Sequence, residues 1–115
     1  MKIVGLTKMS SKGQITIPKD VRKILEINPS SNVLFLEIDQ QRIFIDKEIR
    51  RYKWKENLWE QIQVVGLAKI TTQGQITLPK EIREKLDLTD GDNLLFIEEN
   101  NKRIFIDKEI LSKRS

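Results

Sequence analysis

Gly13-Gln-Ile-Thr-Ile-Pro-Lys19 returns 61 residues later as Gly74-Gln-Ile-Thr-Leu-Pro-Lys80, and these two stretches anchor a longer internal repeat. Residues 4–49 align with residues 65–110 without a gap, and 24 of the 46 aligned positions are identical. The longest identical run, Arg42 to Ile49, returns as Arg103 to Ile110. Two copies are fewer than a solenoid usually needs, so the repeat predicts two halves that complete each other.

The length of each copy also favours a shared core. A unit of about fifty residues buries little surface when it folds alone, whereas the whole chain of 115 residues has an ordinary single-domain length. We therefore divide the chain into repeat 1 (1–49), a linker (50–64), repeat 2 (65–110) and a tail (111–115). Both repeats are expected to contribute to one core.

Each repeat predicts the same order of short elements. Repeat 1 opens with the β-prone segment Lys2–Met9, a polar loop that ends at Gly13, and the alternating strand Gln14–Ile17. Pro18 suits the first position of a helix of about two turns, because its missing N–H has no partner there anyway. The apolar face of this helix, spaced i, i+3 and i+4, consists of Val21, Ile24 and Leu25.

A hairpin is predicted to complete each repeat. Val33–Ile38 and Arg42–Ile45 are β-rich runs separated by a short polar turn, and repeat 2 has the same pattern. A single copy has too few strands to close a sheet and would leave its edges exposed. The predicted fold class is therefore mostly β with short helices, a β-barrel formed by two tandem repeats as a pseudo-dimer.

The linker contains no Gly, Pro or Ser, so it is not a flexible tether. Apolar residues with helical spacing are Ile49, Tyr52, Trp59 and Ile62. A helix with Asp46 as its N-cap is one interpretation of this spacing. The two tryptophans of the chain, Trp54 and Trp59, either pack against the barrel or form an oligomer or partner surface.

Composition argues against an enzyme. The chain has no Cys and no His, so it lacks the usual bases, nucleophiles and soft metal ligands. It also lacks a glycine-rich phosphate loop and a nucleophile elbow. We expect no catalytic site, no metal and no cofactor. No apolar run reaches the length of a signal peptide or a membrane span, so a cytoplasmic protein without membrane contact is expected.

The motif Gly-Leu-x-Lys-x-[Ser/Thr]-[Ser/Thr]-x-Gly-Gln-Ile-Thr-[Ile/Leu]-Pro-Lys-[Asp/Glu]-[Val/Ile]-Arg occurs at Gly5–Arg22 and again at Gly66–Arg83. It resembles the AbrB/SpoVT family of swapped-hairpin, or looped-hinge-helix, DNA-binding domains. The resemblance spans nearly all of both repeats. It implies a swapped-hairpin β-barrel in which two β-rich units intertwine. Members of this family are transcription regulators or antitoxins of toxin–antitoxin pairs.

The resemblance also implies a DNA-facing set of basic and amide side chains. They belong to the end of the first strand, the loop and the short helix of each repeat. Repeat 2 departs from the pattern at two basic positions, where Gln73 replaces Lys12 and Glu84 replaces Lys23. The implied DNA-binding residues are Lys8, Lys12, Gln14, Lys19, Arg22 and Lys23 in repeat 1 and Lys69, Gln75, Lys80 and Arg83 in repeat 2.

The chain carries a formal net charge of +4, and a basic domain can bind nucleic acid, an acidic protein or a membrane surface. The basic loop regions contain no aromatic side chain on which single-stranded bases could stack. The leading hypothesis is a double-stranded DNA-binding transcription regulator. The alternatives are an antitoxin that binds operator DNA and a toxin, and a purely structural or protein-interaction module. A homodimer of complete barrels is also left open.

Overall fold

The computed structural model describes residues 1–38, 42–49, 62–99 and 103–110. No helix among these residues is long and apolar enough to cross a membrane. The strands are β1 (Lys2–Lys8), β2 (Gln14–Thr16), β3 (Asn32–Ile38), β4 (Arg42–Asp46), β5 (Ile62–Lys69), β6 (Gln75–Thr77), β7 (Asn93–Glu99) and β8 (Arg103–Glu109), and the helices are α1 (Lys19–Leu25) and α2 (Lys80–Lys85).

The two helices begin in the same way. Pro18 and Pro79 are the N-cap residues, so the prediction that Pro18 occupies the first helical position is wrong by one residue. Both prolines have extended backbone, with ψ near 146° and 145°, and a proline just before the first turn removes an N–H that the helix would leave unpaired. The helix ends differ: the C-cap of α1, Glu26, is left-handed, whereas the C-cap of α2 is Leu86 with φ −94° and the left-handed residue Asp87 follows it.

The repeats exchange strands. In the six-stranded sheet the order is β1-β7-β8-β4-β3-β5, and β2 pairs with β6 in a separate two-stranded ribbon. The hairpin β3–β4 of repeat 1 is therefore extended by β5 of repeat 2, and the hairpin β7–β8 is extended by β1. Each hairpin lies against the first strand of the other repeat, which is a swapped-hairpin arrangement.

Strand register reveals a pseudo-twofold axis. Ile15 lies opposite Ile76 in the ribbon, and Phe44 lies opposite Phe105 where β4 meets β8. In both pairs the partners are equivalent residues of the two repeats, 61 positions apart. Equivalent residues can face each other only on a twofold axis, so the axis passes through both pairs.

The main hydrophobic core takes buried side chains from both repeats. Its largest members include Phe35 of β3 and Phe96 of β7, which are 1% and 0% exposed. On the other face of the sheet, Phe44 and Phe105 belong to a smaller cluster, with ring centroids 5.6 Å apart. The predicted fold class, mostly β with short helices in two swapped repeats, is confirmed. The hydrogen-bonded sheet keeps β1 and β5 as its two edges.

Among the described residues, two ion pairs join the repeats. The Lys85 ammonium lies 2.7 Å from Glu37 Oε2, and Glu37 is buried. The hydrogen bond that the Lys85 ammonium donates to Glu37 is the largest cause that raises the pKa of Lys85. Both Arg42 guanidinium Nη atoms donate to the Glu99 carboxylate, at 3.2 and 3.1 Å, and this hydrogen bonding lowers the pKa of Glu99. The Arg42 guanidinium also lies 3.7 Å above the Phe105 ring.

The structure corrects the linker prediction at both of its ends. Ile62 to Val64 are the first residues of β5 and not part of a helix, because they pair with β3 from Ile38 to Leu36. Asp46 is the last residue of β4 rather than a helix N-cap, and its Oδ1 accepts the Lys47 N–H at 2.7 Å. Residues 50–61, which include both tryptophans, and the tail 111–115 lie outside the described residues.

Candidate nucleic-acid interface

In each of the loops before β2 and β6, one side-chain hydroxyl group accepts backbone hydrogen bonds from the loop. Residues 10–13 form loop 1 and residues 71–74 form loop 2. Ser10 Oγ accepts the N–H groups of Lys12 and Gln14 at 3.3 and 3.2 Å. Thr71 Oγ1 accepts the equivalent N–H groups in loop 2 at 3.3 and 3.1 Å. A serine or threonine that bonds its own downstream backbone fixes a tight turn, so both loops are held in one shape.

Gly13 and Gly74 close these turns with positive φ angles of 76° and 81°, which glycine adopts without steric cost. The same glycines connect the repeats. Gly13 O accepts the Leu78 N–H and Gly74 O accepts the Ile17 N–H, both at 2.8 Å. Loop 1 therefore lies at the end of β6, where α2 begins, and loop 2 lies at the end of β2, where α1 begins.

The helix arginines cover the glycines of the opposite repeat. A Cβ atom added to Gly13 would lie 3.2 Å from Arg83 Nη1, and one added to Gly74 would lie 3.0 Å from Arg22 Nη1. The Nε atoms of both arginines are buried and have no hydrogen-bond partner within the described part of the chain. Each guanidinium therefore packs against the backbone of a loop and stays half-buried.

Most of the predicted site residues are solvent-accessible. Lys8 and Lys69 end β1 and β5 and precede the loops, and Lys19 and Lys80 are the first residues of the helices. Gln14 is exposed and Gln75 is half-buried, and both belong to the ribbon that crosses the pseudo-twofold axis. The exposed lysines of the predicted set are Lys8, Lys12, Lys19, Lys23, Lys69 and Lys80.

The surroundings of α2 are more acidic than those of α1. Lys80 and Arg83 line a shallow open cavity of about 270 Å³ together with Glu84, Asp87 and Leu88. In α1 the equivalent of Glu84 is Lys23. Carboxylates beside a cation oppose the approach of a phosphate group, so the two helices differ in their attraction for a polyanion.

Sequence reasoning missed two kinds of residue in this region. Ser10 and Thr71 shape the loops, and their signal was a hydroxyl residue placed four positions before the Gln of the motif. Gly5 and Gly66 admit the ring of the N-cap proline, since a Cβ at Gly5 would lie 2.5 Å from Pro18 Cγ and one at Gly66 would lie 2.9 Å from Pro79 Cγ. No local pattern predicts this contact.

A family model described as "Antidote-toxin recognition MazE, bacterial antitoxin" matches residues 6–53 and again residues 67–112. The two matches coincide with the two repeats. No curated protein matches the chain.

Proposed function

Because the chain belongs to the MazE family of bacterial antitoxins, we propose that it acts as a double-stranded DNA-binding transcription regulator and not as an enzyme. The resemblance drawn from the motif is confirmed for its swapped-hairpin, AbrB-like fold in two tandem copies, while the family that matches is MazE. A role of the DNA-binding antitoxin or transcription-regulator kind follows from this membership. The finer assignment, a regulator of AbrB type, is our proposal.

One observation carries the proposal most directly: lysines at the ends of β1 and β5 and cationic helix starts occur in pairs around a twofold axis. Loop 1 lies beside α2 and loop 2 lies beside α1, and the ribbon β2–β6 runs between them. Duplex DNA has a local twofold symmetry and a regular array of phosphates, which lysine and arginine neutralise with release of counterions. Gln14 and Gln75 add amide groups, which are able to recognise adenine.

The test is duplex affinity by fluorescence anisotropy across a salt series, with two variants of one strand. Lys8 and Lys2 are exposed lysines at opposite ends of β1, about 20 Å apart at the usual rise of a strand. Lys8→Ala should weaken binding and reduce the slope of log K against log salt by about one unit. Lys2→Ala is the matched control and should leave the slope unchanged. Failure of the wild-type chain to bind any duplex at low salt would refute the proposal.

A second candidate is an antitoxin that binds a toxin as well as DNA. The description of the matching family names toxin recognition. In addition, the edge strands β1 and β5 carry exposed apolar side chains at equivalent positions, namely Ile3, Leu6, Val64 and Leu67. An exposed apolar edge strand is a surface to which another chain can add.

This candidate is tested by co-expression with a toxin encoded beside the gene for this chain. The wild-type chain should rescue growth, and a Leu6→Lys/Leu67→Lys variant with unchanged duplex affinity should fail to do so. This result would support toxin binding through the edge strands. If the variant still rescues growth, the toxin does not bind through these edge strands. Absence of rescue by the wild-type chain would leave the regulator as the only candidate function.

A further inference from the structure

We infer that each half of the DNA-facing surface is assembled from both repeats, the loop of one repeat with the helix of the other. The loop 1–α2 half consists of residues 10–14 and α2, and the loop 2–α1 half consists of residues 71–75 and α1. The inference rests on the proposed function and specifies which cations act together on the same part of a duplex.

The contacts between loops and helices support this grouping. In loop 1, the Gly13 carbonyl oxygen accepts the Leu78 N–H, and the Arg83 guanidinium packs over Gly13. In loop 2, the Gly74 carbonyl oxygen accepts the Ile17 N–H, and the Arg22 guanidinium packs over Gly74. Two independent kinds of contact, a backbone hydrogen bond and a packed guanidinium, thus attach each loop to the helix of the other repeat.

The balance of charge depends on whether a loop is grouped with the helix of its own repeat or with the helix of the other repeat. When the loop and helix of the same repeat are taken together, repeat 1 has four cations against one carboxylate (Lys12, Lys19, Arg22, Lys23; Asp20). Repeat 2, without the Lys85 that pairs with Glu37, has two cations against two carboxylates (Lys80, Arg83; Glu81, Glu84). On this grouping only repeat 1 would attract phosphate.

The assembled halves are nearly balanced instead. Lys12 lies in the loop that faces the more acidic α2, and Gln73 lies in the loop that faces the more basic α1. The loop 1–α2 half then has three cations against two carboxylates, and the loop 2–α1 half has three cations against one. Lys12 therefore compensates for Glu84 across the repeat boundary. The two halves should bind duplex phosphates with similar strength although the two repeats differ in charge.

Arg22 and Arg83 act as positioning residues in this arrangement. Their buried Nε atoms and their packing on glycine backbone hold each loop at a fixed place beside a helix. A lysine at these positions keeps the charge but lacks the planar guanidinium. Arg83→Lys should therefore shift the amide resonance of Gly13 and leave that of Gly74 unchanged, and Arg22→Lys should do the reverse. Shifts confined to the glycine of the same repeat would overturn the inference.

A pair of double variants tests the grouping on DNA. Lys19 and Lys80 are equivalent, exposed residues at the first position of each helix, where a glutamate is compatible with the helix dipole. K12E/K80E places both changes in the loop 1–α2 half, whereas K12E/K19E places one change in each half. Both variants change the net charge by the same amount, and equal urea-unfolding midpoints would establish that both are folded.

The probe is a short duplex of about eight base pairs, less than one helical turn, so that one half of the protein surface is enough to bind it. K12E/K80E should keep the wild-type salt slope, because the other half is intact. K12E/K19E should lose about one unit of slope, because each half then lacks one lysine, and bind at least roughly tenfold more weakly at low salt. The reverse order, or an equal loss in both variants, would overturn the inference while the proposed function stands. If the wild-type chain binds no duplex, the proposed function fails and this inference fails with it.

Discussion

At the residue scale, the turns before β3 and β7 differ at one position of positive φ. Ser30 has φ 69°, and the equivalent residue of repeat 2 is Gly91 with φ 85°. A residue with a side chain pays roughly 1–2 kcal/mol in the left-handed region. Glycine avoids this steric cost, but it loses more chain entropy on folding, so only part of the cost is recovered. Ser30→Gly should therefore raise the free energy of unfolding by about 0.5–1 kcal/mol, and Gly91→Ser should lower it. Urea unfolding of both reciprocal variants checks this, and a gain for Gly91→Ser would contradict it.

Also at the residue scale, Gly5 packs closely against the ring of Pro18. A Cβ at Gly5 would lie 2.5 Å from Pro18 Cγ and 2.7 Å from Pro18 Cβ, so Gly5→Ala forces β1 away from the helix start. We expect a loss of about 1–3 kcal/mol, the usual cost of overpacking. The matched control is Gly5→Ala in a Pro18→Ala background, where the ring is absent and the loss should be smaller. An equal loss in both backgrounds would place the strain elsewhere.

At the scale of elements, the strands β3 and β7 contribute the same ring to the core. Phe35 and Phe96 are 1% and 0% exposed, and each lies within van der Waals range of a Cβ position on the glycine of the adjacent edge strand. Phe35→Ala and Phe96→Ala should each cost about 3–5 kcal/mol of unfolding free energy. Leu67→Ala, at a residue 58% exposed, is the control and should cost less than about 1 kcal/mol. Denaturant melts decide, and a small loss at either phenylalanine would contradict the shared core.

The elements themselves were largely predictable, and their pairing was not. Alternation, the prolines and the apolar spacing of Val21 and Leu25 predict β2 and α1, because these signals are local. The repeats have nearly identical sequences, so nothing local distinguishes Gly13 from Gly74 as the glycine under Arg22. Only the pairing of β2 with β6 decides between them. The domain boundaries and the ten DNA-binding residues stay predictions.

The linker shows the opposite failure, where a local pattern was overridden by a tertiary contact. Ile62 fits a helical apolar stripe, yet it pairs with Ile38 as the first residue of β5. Hydrophobic spacing over a few residues is compatible with either a helix or a strand. The bonds that β3 offers to an adjacent strand settle the conformation, and these bonds are invisible in the sequence.

At the scale of the whole molecule, the interface between the repeats is electrostatically asymmetric. Lys85 and Glu99 carry the partner charges of the two ion pairs described above, and their equivalents in repeat 1 are Ile24 and Ile38. Repeat 1 therefore lacks the charges that would pair with a second copy of its own Glu37 and Arg42. The charges of the chain favour pairing of repeat 1 with repeat 2 over pairing of repeat 1 with itself.

Lys85→Ala tests one of these pairs. The Glu37 carboxylate would remain buried and lose its cation, and an uncompensated buried charge is destabilising. The urea midpoint should fall, and Lys85→Ala/Glu37→Gln should recover part of the loss because the remaining side chain is neutral. Lys23→Ala, which removes an exposed lysine from α1, is the control for net charge and should leave the midpoint unchanged. A double variant less stable than Lys85→Ala alone would refute this account.

The Arg42–Glu99 pair predicts a dependence on acid that spans the two repeats. Hydrogen bonds from Arg42 lower the pKa of Glu99 below its ordinary value of 4.5, so folding favours the ionised carboxylate. The stabilisation is complete above the unfolded pKa and is lost as the pH falls through the lower folded pKa. Glu99→Gln should therefore lower the urea midpoint by a constant amount from pH 7 to about pH 5. Below pH 4.5 its difference from the wild-type chain should shrink. Glu84→Gln, at an exposed carboxylate, should show no such convergence. A Glu99→Gln deficit that grows on acidification would mean that folding does not favour the ionised form of Glu99, and that the bond to Arg42 does not join the repeats in solution.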